Sequence, residues 1–379
     1  MKGREMLLDF ENKYLEEIKG FDTLNEICQQ GIVFIEIVRL FDKIKYKINK
    51  FMKKIWANKK SFKIIFTGVG SSEFIGNSIV NTLIQQGYNA RSISSTDIIP
   101  YIEEYIDPKE KLLLISFSKS GNSPEIIETY NIVNNFVLDC RHLIFTCNSK
   151  GKLWIEGRKN KNTFVFTLPS RSDDKSFVKT SSFTGMILSA LLFFRVDEPE
   201  EYRKIVTDLA KCVNNNIREN YERIKYLANL SIERIVYLGA SNLKGIAQKS
   251  HLMILELTGG NIETFYNSPL GFRRMAKYIL NEGTMVFVYL SVEPNKRKYD
   301  IDLLKELYTQ KKCDKIIVLD CINEKKIESF CDEYFSLESE YEDFIQINYI
   351  VLTQLFAFYK AINVGKSPDN SCQVDGLIE

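Results

Sequence analysis

Histidine is scarce in this sequence of 379 residues, which contains only His142 and His251. So few histidines disfavour a metal site built on imidazoles or a Ser-His-Asp triad, and we expect neither a metal nor a cofactor. Eight cysteines are present without any CxxC pair. Several lie in apolar runs, such as Cys147 in LIFTC, which predicts reduced thiols in the core of a cytoplasmic protein.

Strong net charge and long hydrophobic segments are also missing. The formal charge is +2, which gives no indication of a nucleic-acid partner or an anionic membrane surface. No run of about 18 apolar residues occurs, so we expect no transmembrane helix. The N-terminal stretch MKGREMLLDFENKYLEE mixes charges among its apolar residues, and we do not expect a signal peptide.

An internal repeat organises the sequence. KIIFTG (63–68) resembles RIVYLG (234–239), KLLLISFS (111–118) resembles TMVFVYLS (284–291), and HLIFTC (142–147) aligns with KIIVLD (315–320). The offsets are 171, 173 and 173 residues. Because three matches share nearly one spacing and one order, they indicate two copies of a single domain.

The repeated runs predict an α/β fold. Each run is apolar throughout and rich in β-branched residues, which is typical of parallel strands buried on both faces. Between them, residues such as Ile126, Tyr130 and Val133 recur at helical spacing. Each copy is therefore expected to form a parallel sheet flanked by helices, a three-layer α/β/α sandwich.

Domain boundaries are predicted from the same pattern. Residues 24–56 have the spacing of one or two amphipathic helices, and we assign a helical segment to 1–50. The linker VDEPEEY (196–202) separates a first domain, 51–200, from a second domain with a C-terminal tail, 201–379.

The segment SKSGNS (118–123), called here the serine loop, follows the second apolar run of the first copy. Ligands of parallel α/β sheets bind beyond the carboxyl ends of the strands, where this loop is expected. Ser123 is placed to cap the next helix, and Pro124 suits its first position. Hydroxyls, helix N–H groups and the permissive Gly121 favour a phosphate site, although an ordinary capped turn would use the same residues. The GxxxxGK[ST] motif of a Walker loop is absent.

The second copy differs at the equivalent place. It has SVEPN (291–295), and the offset puts Glu293 in the position of Ser120 and Pro294 in that of Gly121. A carboxylate would repel phosphate, and proline has no N–H to offer. We therefore expect a phosphate site in the first copy only.

A second polar loop, GVGSSEFIG (68–76), follows the first strand of the same copy. Gly70 permits a tight turn, and Ser71 and Ser72 place hydroxyls at the next helix start. Glu73 replaces the last glycine of GxGxxG, so the dinucleotide motif is not met. A third cluster lies in KTSSFTG (179–185), with hydroxyls on Thr180, Ser181, Ser182 and Thr184.

Together these motifs resemble the sugar isomerase (SIS) domain family. The similarity is closer to its AgaS-type members, which are described as tagatose-6-phosphate ketose/aldose isomerases or galactosamine-6-phosphate deaminases, and it runs almost from end to end. The matching segments are EICQQ (26–30), SFSKSGNSPE (116–125), LIFTCNSKGKL (143–153), TSSFTGM (180–186), LELTGG (255–260), FYNSPLGFR (265–273) and SPDN (367–370).

The resemblance implies two SIS domains and an enzyme acting on a 6-phosphorylated hexose or hexosamine through an enediol or enediolamine. It assigns the sugar phosphate to the serine loop and the sugar itself to a second set of residues. The phosphate-binding residues are Ser118, Lys119, Ser120 and Ser123. The substrate-binding residues are Gly70, Ser71, Ser72, Thr180 and Ser181.

The resemblance also places the catalytic carboxylate on Glu256. Moving a proton between C1 and C2 requires one group that removes and returns it, and a carboxylate can do both. Apolar neighbours, Met253 to Leu255, would raise the pKa of Glu256 toward a useful value. Spacing alone would equally fit a solvated glutamate at a helix end, and Glu263 is the reserve candidate.

The sequence departs from the family at two positions. Related proteins have FRHGPK, with a histidine thought to assist ring opening, where this sequence has FRRMAK (272–277). Arg274 takes the histidine position, and Met253 replaces a lysine three residues before the glutamate. Since arginine stays protonated, Arg274 is expected to bind an anion or polarise a carbonyl. We expect it to be buried in the site and paired with an anion, from its own or a neighbouring subunit.

Three functions stay open on this sequence. The first is a sugar-phosphate isomerase or aminosugar-phosphate deaminase that uses Glu256. The second is a deglycase that cleaves a sugar-phosphate–amine adduct, with Arg274 recognising an anionic substituent. The third is a non-catalytic sugar-phosphate sensor. In each case the partner is a sugar phosphate, and a homodimer at least is expected, because related sites are completed across subunits and the N-terminal helices are strongly apolar.

Overall fold

A computed structural model describes residues 6–195, 197–337, 339 and 341–370. Cys372 lies outside the described residues. The other seven cysteines are free thiols, three of them buried, as the sequence predicts. Within the described ranges no helix is long and apolar enough to cross a membrane.

Twelve strands are present in the described chain. They are β1 (Met6–Leu7), β2 (Phe10–Glu11), β3 (Phe62–Gly68), β4 (Asn89–Ser92), β5 (Lys111–Phe117), β6 (Asp139–Thr146), β7 (Thr163–Thr167), β8 (Arg234–Gly239), β9 (Glu263–Asn267), β10 (Thr284–Tyr289), β11 (Lys315–Asp320) and β12 (Glu333–Ser336).

Fourteen α-helices accompany them in the same ranges. They are α1 (Asn12–Glu17), α2 (Phe21–Cys28), α3 (Gln30–Ala57), α4 (Glu73–Asn77), α5 (Val80–Gln85), α6 (Ser95–Tyr105), α7 (Pro124–Phe136), α8 (Lys152–Lys159), α9 (Ser181–Phe193), α10 (Pro199–Asn229), α11 (Leu243–Thr258), α12 (Pro269–Met275), α13 (Pro294–Gln310) and α14 (Ile345–Asn363).

The chain divides into two compact units. One, the first-sheet unit, comprises Ile32–Asp173 and Ser181–Thr207. The other, the second-sheet unit, comprises the described residues of 1–31, 208–378 and the short segment Asp174–Thr180, which we call the strap. The predicted boundaries at residues 50 and 200 stay predictions, because a compact unit is not necessarily an independently folding domain.

The first-sheet unit contains a five-stranded sheet in the order β4-β3-β5-β6-β7, parallel throughout. The central strands are buried on both faces, as their unbroken apolar sequences require. Helix α9 is buried along its whole length, since nearly every side is apolar or small.

The second-sheet unit repeats this topology. Its sheet is also parallel, in the order β12-β11-β10-β8-β9. Strands β8, β10 and β11 occupy the positions that β3, β5 and β6 occupy in the other sheet. The internal repeat and the two-sheet α/β fold predicted from the sequence are thereby confirmed.

The predicted N-terminal helices are α2 and α3. Their apolar residues, including Leu24, Ile27, Val33 and Phe41, are fully buried within the single chain. Because these residues are buried within the single chain, their apolar character gives no support to a dimer, and the dimer stays a prediction.

Candidate active site

The serine loop connects β5 to α7 and is held by its own side chains. The Gly121 N–H donates to Ser118 Oγ at 3.1 Å, and the Asn122 N–H donates to Ser120 Oγ at 3.2 Å. Gly121 has φ +65°, in the left-handed region where glycine is unstrained. Ser118 is buried, and Lys119 and Ser120 are half-buried.

A second loop, residues 147–153, supports the serine loop from the end of β6. The Cys147 N–H donates to the Lys119 carbonyl, and Asn148 Nδ2 donates to the Ser120 carbonyl at 2.9 Å. A Cβ at Gly151 would lie 2.5 Å from the Ser120 carbonyl oxygen, so only glycine fits there without displacement. The LIFTCNSKGKL motif therefore has a structural role: it fixes the serine-loop backbone.

Helix α7 begins at Pro124, and Ser123 occupies the N-cap position as predicted. The Ser123 side chain, however, makes no capping hydrogen bond. The first N–H groups of any helix have no partner within the helix, and the positive end of the dipole points outward. The start of α7 thus has no side-chain cap, and the carboxylate nearest to it in sequence is Glu125 in the first turn.

The corresponding loop of the second copy shows what an occupied helix start looks like. Glu293 is the N-cap of α13, and its carboxylate accepts from the Asn295 N–H at 3.0 Å and the Lys296 N–H at 3.1 Å. These hydrogen bonds lower the pKa of Glu293. The second copy places its own carboxylate where an anion would bind.

The predicted pairing of Glu293 with Ser120 needs correction. Both helices start at a proline, Pro124 and Pro294, so Glu293 corresponds to Ser123. The repeat offset does not hold across this loop, because the loop of the second copy is two residues shorter.

A buried ion-pair cluster fills the carboxyl edge of the second sheet. Arg297 donates to both oxygens of Asp320, at 2.8 and 2.7 Å, and to Glu324 at 2.9 Å. Tyr334 Oη also donates to Asp320, at 2.8 Å. Asp320 is fully buried at the end of β11. This edge satisfies its charges internally, in contrast to the serine-loop edge of the first sheet.

The GVGSS loop adopts the predicted tight turn. Gly70 has φ +56° and opens a single 3₁₀ turn that ends at Ser72. A Cβ on Gly68 would lie 2.6 Å from the Ser72 carbonyl carbon. Ser71 and Ser72 are both buried at this turn.

Thr180 and Ser181 are adjacent in sequence but belong to different units. Thr180 ends the strap, and Ser181, which is fully buried, begins α9. The Thr180 N–H and hydroxyl both donate to Asp174, at 2.9 and 3.2 Å. The Thr180 hydroxyl is thus a structural donor that closes the strap on itself.

Glu256 lies near the end of α11. Its side chain is 23% exposed, while Oε2 is buried and accepts no hydrogen bond from any described residue. Burial raises the pKa of Glu256, and the positive charges of Lys249 and Lys179 oppose that rise. A raised pKa makes this carboxylate a stronger base than an ordinary one, and its free Oε2 can take up and return a proton.

Lys249 is a residue that the sequence analysis missed. It lies two helical turns before Glu256, and its Nζ is 3.9 Å from Glu256 Oε2. Its side chain is fully buried, and burial lowers the pKa of its ammonium, while Glu256 and Asp174 oppose that change. The i to i+7 spacing could have identified it, because such residues share a helix face.

Glu26, in the EICQQ motif, is a second missed residue. Its carboxylate accepts from the Lys175 N–H and the Ser176 N–H and hydroxyl, which belong to the strap. Burial, with a contribution from the nearby Asp174 charge, raises the pKa of Glu26 to about 7.

Arg274 is not buried within its own chain, and its pairing with an anion of a neighbouring subunit stays a prediction. In the single chain its side chain is exposed, and no carboxylate in the described ranges pairs with it. The reason is that α12 is short and packs through Phe272, which is fully buried, so Arg274 lies on a face turned outward. The neighbouring Arg273 pairs with Glu306 at 2.7 Å.

The reserve carboxylate, Glu263, begins β9 and pairs with Arg234, the first residue of β8. It therefore lies at the amino edge of the second sheet, opposite to the edge where ligands bind. The side chain is 68% exposed, which further separates Glu263 from Glu256 as a candidate base.

Neither histidine takes the place of the missing one. His142 is fully buried on β6, where burial lowers its pKa to about 3 and its ring contacts Tyr130. His251 faces β9, with Nδ1 2.6 Å from Thr264 Oγ1. In the part of the chain that the structure describes, no group of three or more His, Cys, Asp or Glu could hold a metal.

Two parallel sheets of identical topology, one bearing a serine loop at its carboxyl edge, define the phosphosugar isomerase fold. A protein from Clostridium novyi NT, assigned provisionally as a tagatose-6-phosphate ketose/aldose isomerase, superposes with a TM-score of 0.94 at 36% identity, over 98% of this chain and 96% of its own. The Escherichia coli tagatose-6-phosphate ketose/aldose isomerase superposes with a TM-score of 0.87 at 32% identity, over 92% of this chain and 95% of its own.

Sequence comparison agrees. The chain is 32% identical to the Escherichia coli D-galactosamine-6-phosphate deaminase AgaS over 354 residues, 92% of this chain and 91% of that protein. No protein-family model matches the chain. At this identity and coverage, the chain belongs to the AgaS family.

Proposed function

We propose that this protein converts galactosamine 6-phosphate and water into tagatose 6-phosphate and ammonia. It is an enzyme of the sugar-phosphate isomerase and deaminase class. The names of its relatives support the specific pair, since one is named for galactosamine 6-phosphate and another for tagatose 6-phosphate. The two sugars have the same configuration at C3 to C5 and differ by a proton shift between C1 and C2 and loss of the amine.

The reaction can be written with one proton-transfer group. In the open-chain aminoaldehyde, a base removes the C2 proton and gives an enolamine. Return of that proton to C1 gives a ketimine at C2, and water then adds to release ammonia and leave the ketone. With an oxygen in place of the C2 amine, the same proton transfer is an aldose–ketose isomerisation, so both activities need the same base.

Glu256 is the observation that supports this function most directly. Burial raises the pKa of its carboxyl, its Oε2 accepts no hydrogen bond from any described residue, and part of the side chain is exposed. A substrate proton can therefore be accepted without first breaking an internal hydrogen bond. A glutamate at a wet helix end would have neither feature.

The serine loop is proposed to bind the 6-phosphate. Ser118, Ser120 and Ser123 supply hydroxyls, and the α7 start lacks the internal carboxylate that Glu293 provides in the second copy. Lys119 adds positive charge. Gly70, Ser71, Ser72 and Ser181 keep their proposed roles around the sugar. Thr180 is proposed to support them through the strap, since its hydroxyl donates to Asp174.

Assembly and location belong to the same proposal. Arg274 is exposed in the single chain, which leaves it available to a site on a second copy, and we propose a homodimer on that ground and on the resemblance. A cytoplasmic location and the domain boundaries at 50 and 200 stay predictions.

The test is an assay of ammonia and ketose release over a panel of substrates. The panel contains galactosamine 6-phosphate, glucosamine 6-phosphate, tagatose 6-phosphate and sugar-phosphate–amine adducts, with wild type, Glu256→Gln and the matched control Glu263→Gln. We expect wild type and Glu263→Gln to release ammonia from galactosamine 6-phosphate. Glu256→Gln should be slower by roughly a thousandfold, the scale of a lost general base.

Other outcomes would overturn parts of the proposal. Full activity in Glu256→Gln would remove Glu256 from the mechanism. Release of an amine only from the adducts would identify a deglycase, and binding without turnover of any sugar would identify a sensor.

A further inference from the structure

Lys249 and Glu256 form a pair at the boundary between core and surface. They lie on one face of α11, two turns apart, with 3.9 Å between Nζ and Oε2. The lysine side chain is fully buried and the glutamate side chain is 23% exposed. The ammonium therefore lies beneath the carboxylate, on the side away from solvent.

A fully buried ammonium is unfavourable unless negative charge is near. Two carboxylates act on Lys249, those of Glu256 and Asp174. Asp174 is itself buried, and Thr180 fixes it by two hydrogen bonds within the strap. The strap thus supplies a fixed negative charge that acts on Lys249 in addition to that of Glu256.

The other charged groups around α11 either bind partners of their own or act less strongly on Glu256 than Lys249 does. Lys179 on the strap is the second positive charge that acts on the carboxylate. On α14, Lys360 donates to two backbone carbonyls. Glu263 on β9 pairs with Arg234 on β8, and His251 bonds to β9. Lys249 is the larger of the two positive influences.

We propose that Lys249 is the positioning residue of the proton-transfer step: its buried ammonium, supported by Asp174, keeps the Glu256 carboxylate ionised and ready to accept the C2 proton. This rests on the proposed function, in which Glu256 moves that proton. When Glu256 is protonated, the charge attraction to Lys249 is lost, which favours return of the proton to C1. Lys249 does not touch the substrate and acts only through Glu256.

The prediction is a shift of the acidic limb of the pH profile. In Lys249→Met, burial raises the pKa of Glu256 with only Lys179 to oppose it. The acidic limb of kcat/KM should move up by about one pH unit or more, so that kcat/KM at a pH on that limb falls about tenfold or more, with KM nearly unchanged. The matched control is Lys244→Met, since Lys244 is an exposed lysine on the same helix.

If Lys249 had only a structural role, its replacement would lower the folded fraction and leave the acidic limb of kcat/KM at the same pH. Lys249→Gln is the second variant, should the methionine variant fail to fold, and the same shift is expected. Lys249→Arg, which keeps the charge, should restore the limb at least in part. An unmoved acidic limb in folded Lys249→Met or Lys249→Gln overturns the proposal.

A second readout separates this inference from the proposed function. Carbon-13 NMR of the glutamate carboxyl groups, with Glu256→Gln to assign the signal, gives the titration of Glu256 in wild type and in the Lys249 variants. Absence of turnover in the wild type would refute the proposed function. An unchanged Glu256 titration would refute the role of Lys249, whether or not the enzyme turns over.

Discussion

Glu26 accepts three hydrogen bonds from strap residues that lie about 150 positions later in the chain. It is nearly fully buried, so its carboxylate fixes the strap from inside the second-sheet unit. The strap in turn carries Asp174, whose charge acts on Lys249. The EICQQ motif, which the sequence analysis used only as a mark of family resemblance, therefore has a physical role. Its glutamate fixes the strap, whose charged residues act on Lys249 and Glu256.

Glu26 should make stability depend on pH. Burial raises its folded-state pKa from 4.5 to about 7, so the folded chain binds the proton more tightly than the unfolded chain. The resulting stabilisation is complete below about pH 4.5 and is lost as pH rises through about 7. Glu26→Gln should abolish this loss, roughly 2 to 3 kcal/mol between about pH 5 and pH 8.

Urea unfolding at about pH 5 and about pH 8 measures this loss of stability. Glu17→Gln is the control, because Glu17 is an exposed glutamate. An equal loss of stability in wild type and Glu26→Gln would show that Glu26 is not the titrating group.

Residue roles were only partly predictable from the sequence. Glu256 could be located through the resemblance, and its raised pKa follows from the apolar neighbours that the sequence shows. The i to i+7 spacing could have placed Lys249 on the same helix face as Glu256, but it could not show the charge of Asp174, which lies 75 residues away in the sequence. The exposure of Arg274 in the single chain depends on how a seven-residue helix packs, which no local pattern shows, and its pairing across subunits stays a prediction.

At the scale of elements, the connections after β5 and β10 both lead from a strand to a helix that begins at a proline, but their N-cap residues differ. In one, Ser123 leaves the helix start without a side-chain cap, and in the other, Glu293 caps it with a carboxylate. The strands themselves were predictable from unbroken apolar runs. The loop register was not, because the two loops differ in length and a constant offset cannot show this.

Ser123→Glu should convert the first connection into the second. The new carboxylate would accept from the first N–H groups of α7, as Glu293 does in α13, and would repel a phosphate there. We expect sugar-phosphate affinity to fall about a hundredfold or more while the Tm stays equal or rises.

Ser123→Ala is the control, since it removes the hydroxyl without adding charge, and its affinity loss should be smaller. Calorimetric titration with galactosamine 6-phosphate and a thermal melt of each variant provide the two readouts. Unchanged affinity in Ser123→Glu would place the phosphate elsewhere.

At the scale of the whole molecule, the chain order does not follow the compact units. The strap belongs to the second-sheet unit although the residues on both sides of it belong to the first-sheet unit. A sequence pattern divides a chain into consecutive segments, so it could predict two repeated sheets but not this excursion.

The assembly prediction is also made at this scale. We expect a homodimer at least, because Arg274 is exposed in the single chain and the resemblance to the SIS family implies a site completed across subunits. Sedimentation velocity at micromolar concentration should give a mass of about twice 44.0 kDa or more. A monomer at that concentration would mean that the site is complete within one chain, and that Arg274 has no role in it.

The central claim is that Glu256 moves a proton between C2 and C1 of galactosamine 6-phosphate. The most direct measurement is NMR of the tagatose 6-phosphate formed in deuterium oxide by wild type, Glu256→Gln and Glu263→Gln. Wild type and Glu263→Gln should give product with at most one deuterium at C1, because one group returns one proton, and Glu256→Gln should give almost no product. Rapid formation of C1-deuterated product by Glu256→Gln, at a rate close to that of wild type, would contradict the account.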